Sequence, residues 1–294
     1  MDKRKATACV IAAGILWGCI SLFVRALNTV GLSAMDISCV RMVVGAACML
    51  IVLLVVDRSA LRIRLRDLWM FVGTGIVSVT LFNWCYFTCI GLSEASIAVV
   101  LLYTSPIFVM LMSALLFRER ITGRKVAALC LTFAGCVLVA GILGGAVQMT
   151  PVALASGVAS GFFYALYSIF SRVALRRYDP LTITFYTFVL GAVATVLLGN
   201  PGAIVDAIAA NGQVPWLYLG LGILCTVLPY LLYTTGLRGM ETGRAAILVT
   251  VEPLVGALIG IFVFAESTDP MKLAGMLLIF AAIVLLNLPA RHSK

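Results

Sequence analysis

Ten times along its 294 residues this chain runs for about twenty positions almost without a charge. A helix needs roughly 20 apolar residues to cross the hydrocarbon core of a bilayer, so each run is long enough to span. The runs cover residues 6–27, 36–56, 68–91, 95–117, 126–144, 152–171, 181–199, 215–236, 245–264 and 272–289, with short connections holding Gly, Pro, Asn and Ser between them. They use most of the chain and leave no room for a water-facing catalytic domain. Only 11% of residues are charged and 63% are hydrophobic, against about a quarter and a half in an ordinary soluble domain. The expected fold class is an all-α membrane protein of ten transmembrane helices.

Lys3, Arg4 and Lys5 precede the first run in the manner of a secretory signal. That run, from Ala6 to about Leu27, exceeds the 7–15 residues of a signal core and no small-residue cleavage site follows. It is therefore expected to be a retained first helix. Cytoplasmic loops are enriched in Lys and Arg. With the N-terminus inside, the inner segments hold 18 of the 21 basic residues: Lys3, Arg4, Lys5, Arg58, Arg62, Arg64, Arg66, Arg118, Arg120, Arg124, Lys125, Arg172, Arg176, Arg177, Arg238, Arg244, Arg291 and Lys294. The outer segments hold only Lys272, and Arg25 and Arg41 fall within spans. One missed span would scramble this split, so both termini are expected in the cytoplasm of a bacterial inner (plasma) membrane. The same placement explains the net charge of +9 without nucleic acid.

Displaced by 147 residues, half its length, the sequence matches itself without a gap. Gly14 meets Gly161, Ser21 meets Ser168, Arg25 meets Arg172, Trp69 meets Trp216, and Gly73 and Gly75 meet Gly220 and Gly222. Tyr86 meets Tyr233, Glu94 meets Glu241, Pro106 meets Pro253, Phe117 and Glu119 meet Phe264 and Glu266, and Lys125 meets Lys272. Matches among apolar residues are cheap; Trp, Pro, Glu and Arg in one register are not. Residues 1–147 and 148–294 are thus expected to be two five-helix repeats. Five is odd, so the second repeat should enter the membrane inverted. Segment 57–67 carries four arginines whereas its counterpart 204–214 has none and only Asp206, as opposite orientations require. Inverted repeats recur in secondary transporters, with the site at the repeat interface near the midplane.

Several stretches resemble the EamA-type members of the drug/metabolite transporter (DMT) superfamily. They are Trp17-Gly18, Arg41, and Ala98 to Glu119 with Tyr103, Ser105-Pro106 and Phe117-Arg118-Glu119. The echo from Ala245 to Glu266, with Glu252-Pro253 and Phe264-Ala265-Glu266, resembles them too. The resemblance covers the whole chain. It implies a cavity between the halves, lined mainly by helices 1, 3, 4, 6, 8 and 9, and a gradient-driven metabolite exporter that uses no nucleotide. The halves differ where Ser105 faces Glu252 in the repeat register.

Glu252 stands about a third of the way into the ninth run, beside Pro253. An acid at that depth is costly and is a functional candidate by default. It is either a proton-coupling acid or cation anchor, or a neutral acid that satisfies backbone freed by the proline. Pro106 and Pro253 each remove a helix hydrogen bond, as hinges around a substrate or as static kinks. Arg41 pairs with Asp36, holds a substrate carboxylate, or snorkels to the outer interface. The mid-span aromatics Trp17, Tyr86, Tyr103, Tyr164, Tyr167, Tyr230 and Tyr233, with Asn83, suit a flat or cationic ligand and are equally compatible with packing. Three pairs, Trp17 with Tyr164, Tyr86 with Tyr233 and Asn83 with Tyr230, are repeat mates. Gly14, Gly18, Gly73, Gly75, Gly157, Gly161, Gly220 and Gly222 allow close helix approach. Glu119, between Arg118 and Arg120, is expected to be a solvated ion-pair group.

All nine cysteines lie in apolar runs and the one histidine, His292, is in the tail, so neither a disulfide framework nor a metal site is expected. No nucleophile motif or phosphate-binding glycine loop is present, which argues against an enzyme and against a cofactor. Expected partners are the lipid bilayer, a small-molecule substrate such as an amino acid or related amine, and a coupled proton at Glu252, in a monomer or homodimer. A small-solute channel, or an uptake carrier for a quaternary amine or cofactor, is the alternative.

Overall fold

The structure, a computed structural model, describes residues 2–141, 149–266 and 269–288. The regular elements among them are all helical. We label ten: α1 (Lys3–Asn28), α2 (Ala34–Val56), α3 (Leu65–Leu92), α4 (Ala95–Phe117), α5 (Gly123–Val139), α6 (Pro151–Ala174), α7 (Pro180–Leu198), α8 (Val214–Leu237), α9 (Thr242–Phe262) and α10 (Pro270–Asn287). Nine of them are long and apolar enough to cross a membrane. The exception is α5, whose 17 residues reach about 26 Å at 1.5 Å per residue, short of a ~30 Å core. The end of the fifth expected span, 142–144, lies outside the described residues, as do the repeat boundary at 147 and 148 and the tail with Arg291, His292 and Lys294. A short helix, Pro201–Ala210, occupies much of the connection between α7 and α8, where only a loop was expected.

The helices start where the sequence supplies a cap. Thr122, Thr150 and Asp269 accept from Lys125, Ala153 and Lys272 N–H, and Ser33 with Asp36 forms a reciprocal capping box. Pro151, Pro180 and Pro270 fill first-turn positions whose missing N–H would be unpaired anyway. Outward faces carry bare apolar side chains such as Val55, Leu115, Leu197 and Phe262, the surface a lipid solvent demands. The core lies between the halves: Trp17, Met42 and Tyr103 pack in one cluster with Phe188, Tyr230 and Leu248.

Packing pairs each helix with a partner in the other half. α1 lies against α8 and α6 against α3, α2 against α7, and α5 against α10. Exchanging each helix for its counterpart 147 residues away leaves this scheme unchanged. Glycines set the closest approaches. A methyl group on Gly14 would come within 2.6 Å of the Val249 carbonyl oxygen, and one on Gly161 within 2.9 Å of the Leu101 oxygen. Likewise Gly73 receives the Phe170 ring and Gly220 the Phe23 ring.

Five spans are irregular: α1 is interrupted at Cys19, between Lys3–Gly18 and Ile20–Asn28, without a matching break in α6, and the other four are irregular in matched places. α3 contains a π-helical segment, Gly73–Thr80, and α8 another, Ile223–Val227. α4 is divided into Ala95–Leu102 and Ser105–Phe117, and α9 into Thr242–Leu248 and Val251–Phe262. Pro106 and Pro253 therefore stand in the first turn of a restarted helix, where a proline costs little, rather than kinking a continuous one. At the α9 break, Glu252 N–H donates to Val249 O at 3.1 Å.

Candidate functional site

At the centre of the bundle lies a narrow cavity lined from six helices: α1, α3, α4, α6, α8 and α9, the six the resemblance implies. Its volume is about 30 Å³, room for about one water and far below the 300–1,000 Å³ of typical ligand sites.

Five of the sequence candidates meet there: Trp17, Tyr164, Tyr167, Tyr230 and Tyr233. The rings interlock edge to face. Trp17 meets Tyr230 with centroids 5.2 Å apart and Tyr233 at 5.6 Å, and Tyr167 meets Tyr230 at 5.0 Å. Such contacts leave polar tips to be satisfied. Tyr233 OH shares a 2.7 Å hydrogen bond with Ser168 Oγ, and Tyr167 OH shares one of the same length with Thr234 Oγ1. The wall thus combines ring faces with hydroxyls and no ionised group.

The other candidates sit around this chamber. Asn83 is buried, and one N–H of its amide donates to Val79 O at 2.7 Å, within its own helix. Tyr86 stacks behind the wall on Phe82, at 5.9 Å, and Tyr103 packs into the core cluster. Glu252 begins one turn beyond Val249, which lines the cavity. It is partly accessible, and among the described residues its carboxylate has no hydrogen-bond or ion-pair partner. Tyr86, Tyr103 and Tyr164 lie within electrostatic reach of it, as does the cation of Arg41.

Two sequence expectations change. Asp36 is not the partner of Arg41: it accepts from Ser33 Oγ at 2.5 Å and Asn200 N at 2.7 Å. Nor does Arg41 snorkel outward. Its Nε donates to Thr226 Oγ1 at 3.1 Å and its Nη2 to Cys225 O at 3.5 Å, bracing the π segment of α8, where a widened turn offers surplus carbonyls. Glu119 is not a solvated ion-pair group. It accepts from Thr242 N at 2.6 Å and Gly243 N at 3.0 Å, capping the N-terminus of α9 with a negative charge where the helix dipole favours one.

Sequence reasoning missed Ser78, Phe82, Ser105 and Ser168 as wall residues. Spacing could have found two of them. Ser168 follows Tyr164 by four residues, hence on the same helical face, and Phe82 precedes Tyr86 by four.

Fold and cavity define a multi-pass membrane protein of transporter type. The chain belongs to the EamA-like transporter family, whose sequence model matches residues 4–141 and again residues 151–288, two matches displaced by the same 147 residues. An uncharacterized transporter of Archaeoglobus fulgidus is 28% identical over 296 residues, covering 96% of each chain. The uncharacterized transporter YojE of Bacillus subtilis is 25% identical over 97% of this chain and 94% of its own. A crystal structure of a protein with 20% identity superposes with a TM-score of 0.80 over 96% of both chains, a likeness of fold.

Proposed function

We propose that this protein is a secondary carrier that exports a small metabolite, an amino acid or related amine, across the bacterial inner membrane by alternating access. Its ten spans form two inverted five-helix repeats, residues 1–147 and 148–294, with both termini cytoplasmic. The observation that carries this reading is the uneven closure around the aromatic chamber. At the arginine-rich end, the second segment of α4 packs on the first segment of α9, and Glu119 ties them. The equivalent pair, Ala95–Leu102 with Val251–Phe262, has no comparable contact. In a repeat protein that imbalance is a conformational state: one gate is shut, and its counterpart is the gate that shuts when the first opens.

The wall chemistry supports the substrate class. Trp and Tyr faces attract a cation by about 0.5–2 kcal/mol each, and hydroxyls orient it. Glu252 supplies the counter-charge and, on this reading, exchanges its proton as the carrier turns over. The cavity must widen to admit a substrate, so Pro106 and Pro253 act at the starts of segments that swing. The same ring cage favours a quaternary amine among the alternative substrates.

The test is a thermal-shift screen of the purified protein against amino acids, nucleosides, quaternary amines and polyamines, followed by flux of any hit in proteoliposomes. A ligand at about 100 times its Kd stabilises by roughly 2.7 kcal/mol. The expected result is an amine hit that weakens in Glu252→Gln and Tyr230→Ala. Well-folded protein with no hit, and vesicles no leakier to any of these solutes than empty ones, would sink the proposal.

A further inference from the structure

From the end of α2 into the start of α3 the chain runs through two short 3₁₀ turns, Arg58–Leu61 and Leu65–Asp67, joined by an extended stretch. Arg62 and Arg64 have extended dihedrals (φ −90°, ψ 117° and φ −85°, ψ 128°). Extended backbone sends alternate side chains to opposite sides. Leu61 and Ile63 accordingly pack inward, while Arg62 and Arg64 face out with Arg66. These three guanidinium groups converge with Arg177 and Tyr178 on a pocket of about 340 Å³ that also touches Asp67. The single carboxylate is already occupied: buried Asp67 pairs with Arg177 and accepts from Tyr178 OH at 2.8 Å. Tyr178 in turn accepts from Arg64 N at 3.1 Å, fixing the rim. Arg62, Arg64 and Arg66 make no side-chain hydrogen bond or ion pair among the described residues.

The bias of basic residues toward one face explains how many arginines this loop has, but not why they surround a preformed concavity. The counterpart segment 204–214 carries no basic residue, so the fold does not require them. The neighbours fix the depth. Leu65 is 85% exposed and Trp69 51% exposed, an apolar residue and an interfacial aromatic immediately beside the pocket. That places it at headgroup level, with acyl chains alongside α3.

We propose that this pocket binds the phosphate of an anionic phospholipid headgroup from the adjoining leaflet. Arg62, Arg64 and Arg66 supply forked donors suited to phosphate oxygens, and the Arg177–Asp67–Tyr178 group holds the floor. The site is independent of the transport reading.

Delipidated protein in neutral detergent, titrated with phosphatidylglycerol, phosphatidylcholine or inorganic phosphate and read by native mass spectrometry, tests it. Phosphatidylglycerol should be retained in preference to phosphatidylcholine. The triple variant Arg62→Gln, Arg64→Gln, Arg66→Gln should weaken that retention by roughly tenfold or more, while the control Arg118→Gln, Arg120→Gln, on the same face of the protein, should not. If the triple variant fails to insert, the corresponding lysine triple keeps the charge and lacks the fork, and should still bind more weakly than the parent. Equal loss in both glutamine variants, or full retention in the lysine triple, would overturn the pocket. Binding of inorganic phosphate that displaces the lipid would overturn the headgroup as its occupant.

Discussion

Glu119 and Glu266 occupy the same position in the two repeats and are employed differently. Glu119 caps the first turn of α9 and joins two helices across the repeat boundary. Glu266 also reaches across the boundary but to side chains rather than to a helix start, with Arg25 of α1 as one partner and Lys272 at 3.1 Å as the other, while Phe264 lies under the Arg25 guanidinium at 4.0 Å. The helix it would cap by analogy, Ala95–Leu102, starts at Glu94 with no side-chain cap. On the proposed carrier reading, two equivalent acids, one capping a helix and one ion-paired, mark one of two states. The lesson is that the asymmetry lies in the partners, not in the acid.

The comparison can be broken most severely at the residue where the repeats differ. Glu252→Gln should abolish the response of flux to an imposed pH gradient, while Ser105→Ala, at the matching position, should leave the response intact. Proteoliposome flux at both signs of gradient reads this, and a gradient response surviving in Glu252→Gln would remove the acid from coupling. Next come the glycines. Gly14→Ala and Gly161→Ala each place a methyl against a carbonyl of the opposite half, and overpacking of this kind costs about 1–3 kcal/mol. Both should lower the melting temperature by similar amounts. Gly91→Ala, with open space around it, should not; unequal effects at Gly14 and Gly161 would show that the two interfaces are not equivalent.

The Glu119 latch itself is worth about 1–2 kcal/mol as a charged cap, near a tenfold shift in population. Glu119→Gln should therefore raise labelling of a Ser113→Cys probe by roughly tenfold in a background without the native cysteines. Glu266→Gln should not raise it. The smallest effect is on acidification. The Lys272 hydrogen bond, with the Arg25 guanidinium, holds Glu266 below the usual carboxylate range. A depressed acid stabilises above its unfolded value and loses that contribution as pH falls through its folded one. Melting temperature should thus fall below about pH 4, slightly, because the pair is part-exposed and solvent screens it. Glu266→Gln should flatten that slope.

Nine span positions were legible because a bilayer imposes a length on every crossing element, and the two family matches are displaced by the same 147 residues at which Trp, Pro and Glu recur. Part of the chamber was legible too. Trp17, Tyr164, Tyr167, Tyr230 and Tyr233 stood out as large amphipathic rings deep in apolar runs. Ser78 and Ser168 did not, since a serine in a membrane helix carries no signal until the facing residue is known. Glu119 was misread for a related reason. Its neighbours in sequence are arginines, while its partners, Thr242 and Gly243, are backbone donors 123 and 124 residues away, and no local pattern reveals a backbone donor at a distance.

The π segments act as phase shifters. One residue of α-helix corresponds to about 100° of rotation, so a wheel drawn straight through Leu65–Leu92 or Val214–Leu237 loses angular register at the wide turns. Phe82 on one side, and Tyr230 and Tyr233 on the other, owe their bearing toward the chamber to that slip. Deleting a single residue within Gly73–Thr80 or Ile223–Val227 would restore an ordinary helix and leave the composition almost untouched. Because the wide turn had absorbed that one residue, worth about 100° of rotation, the aromatic half of the span would keep its bearing, whereas straightening the same segment at constant length would turn it by roughly a quarter of a revolution and empty the chamber wall.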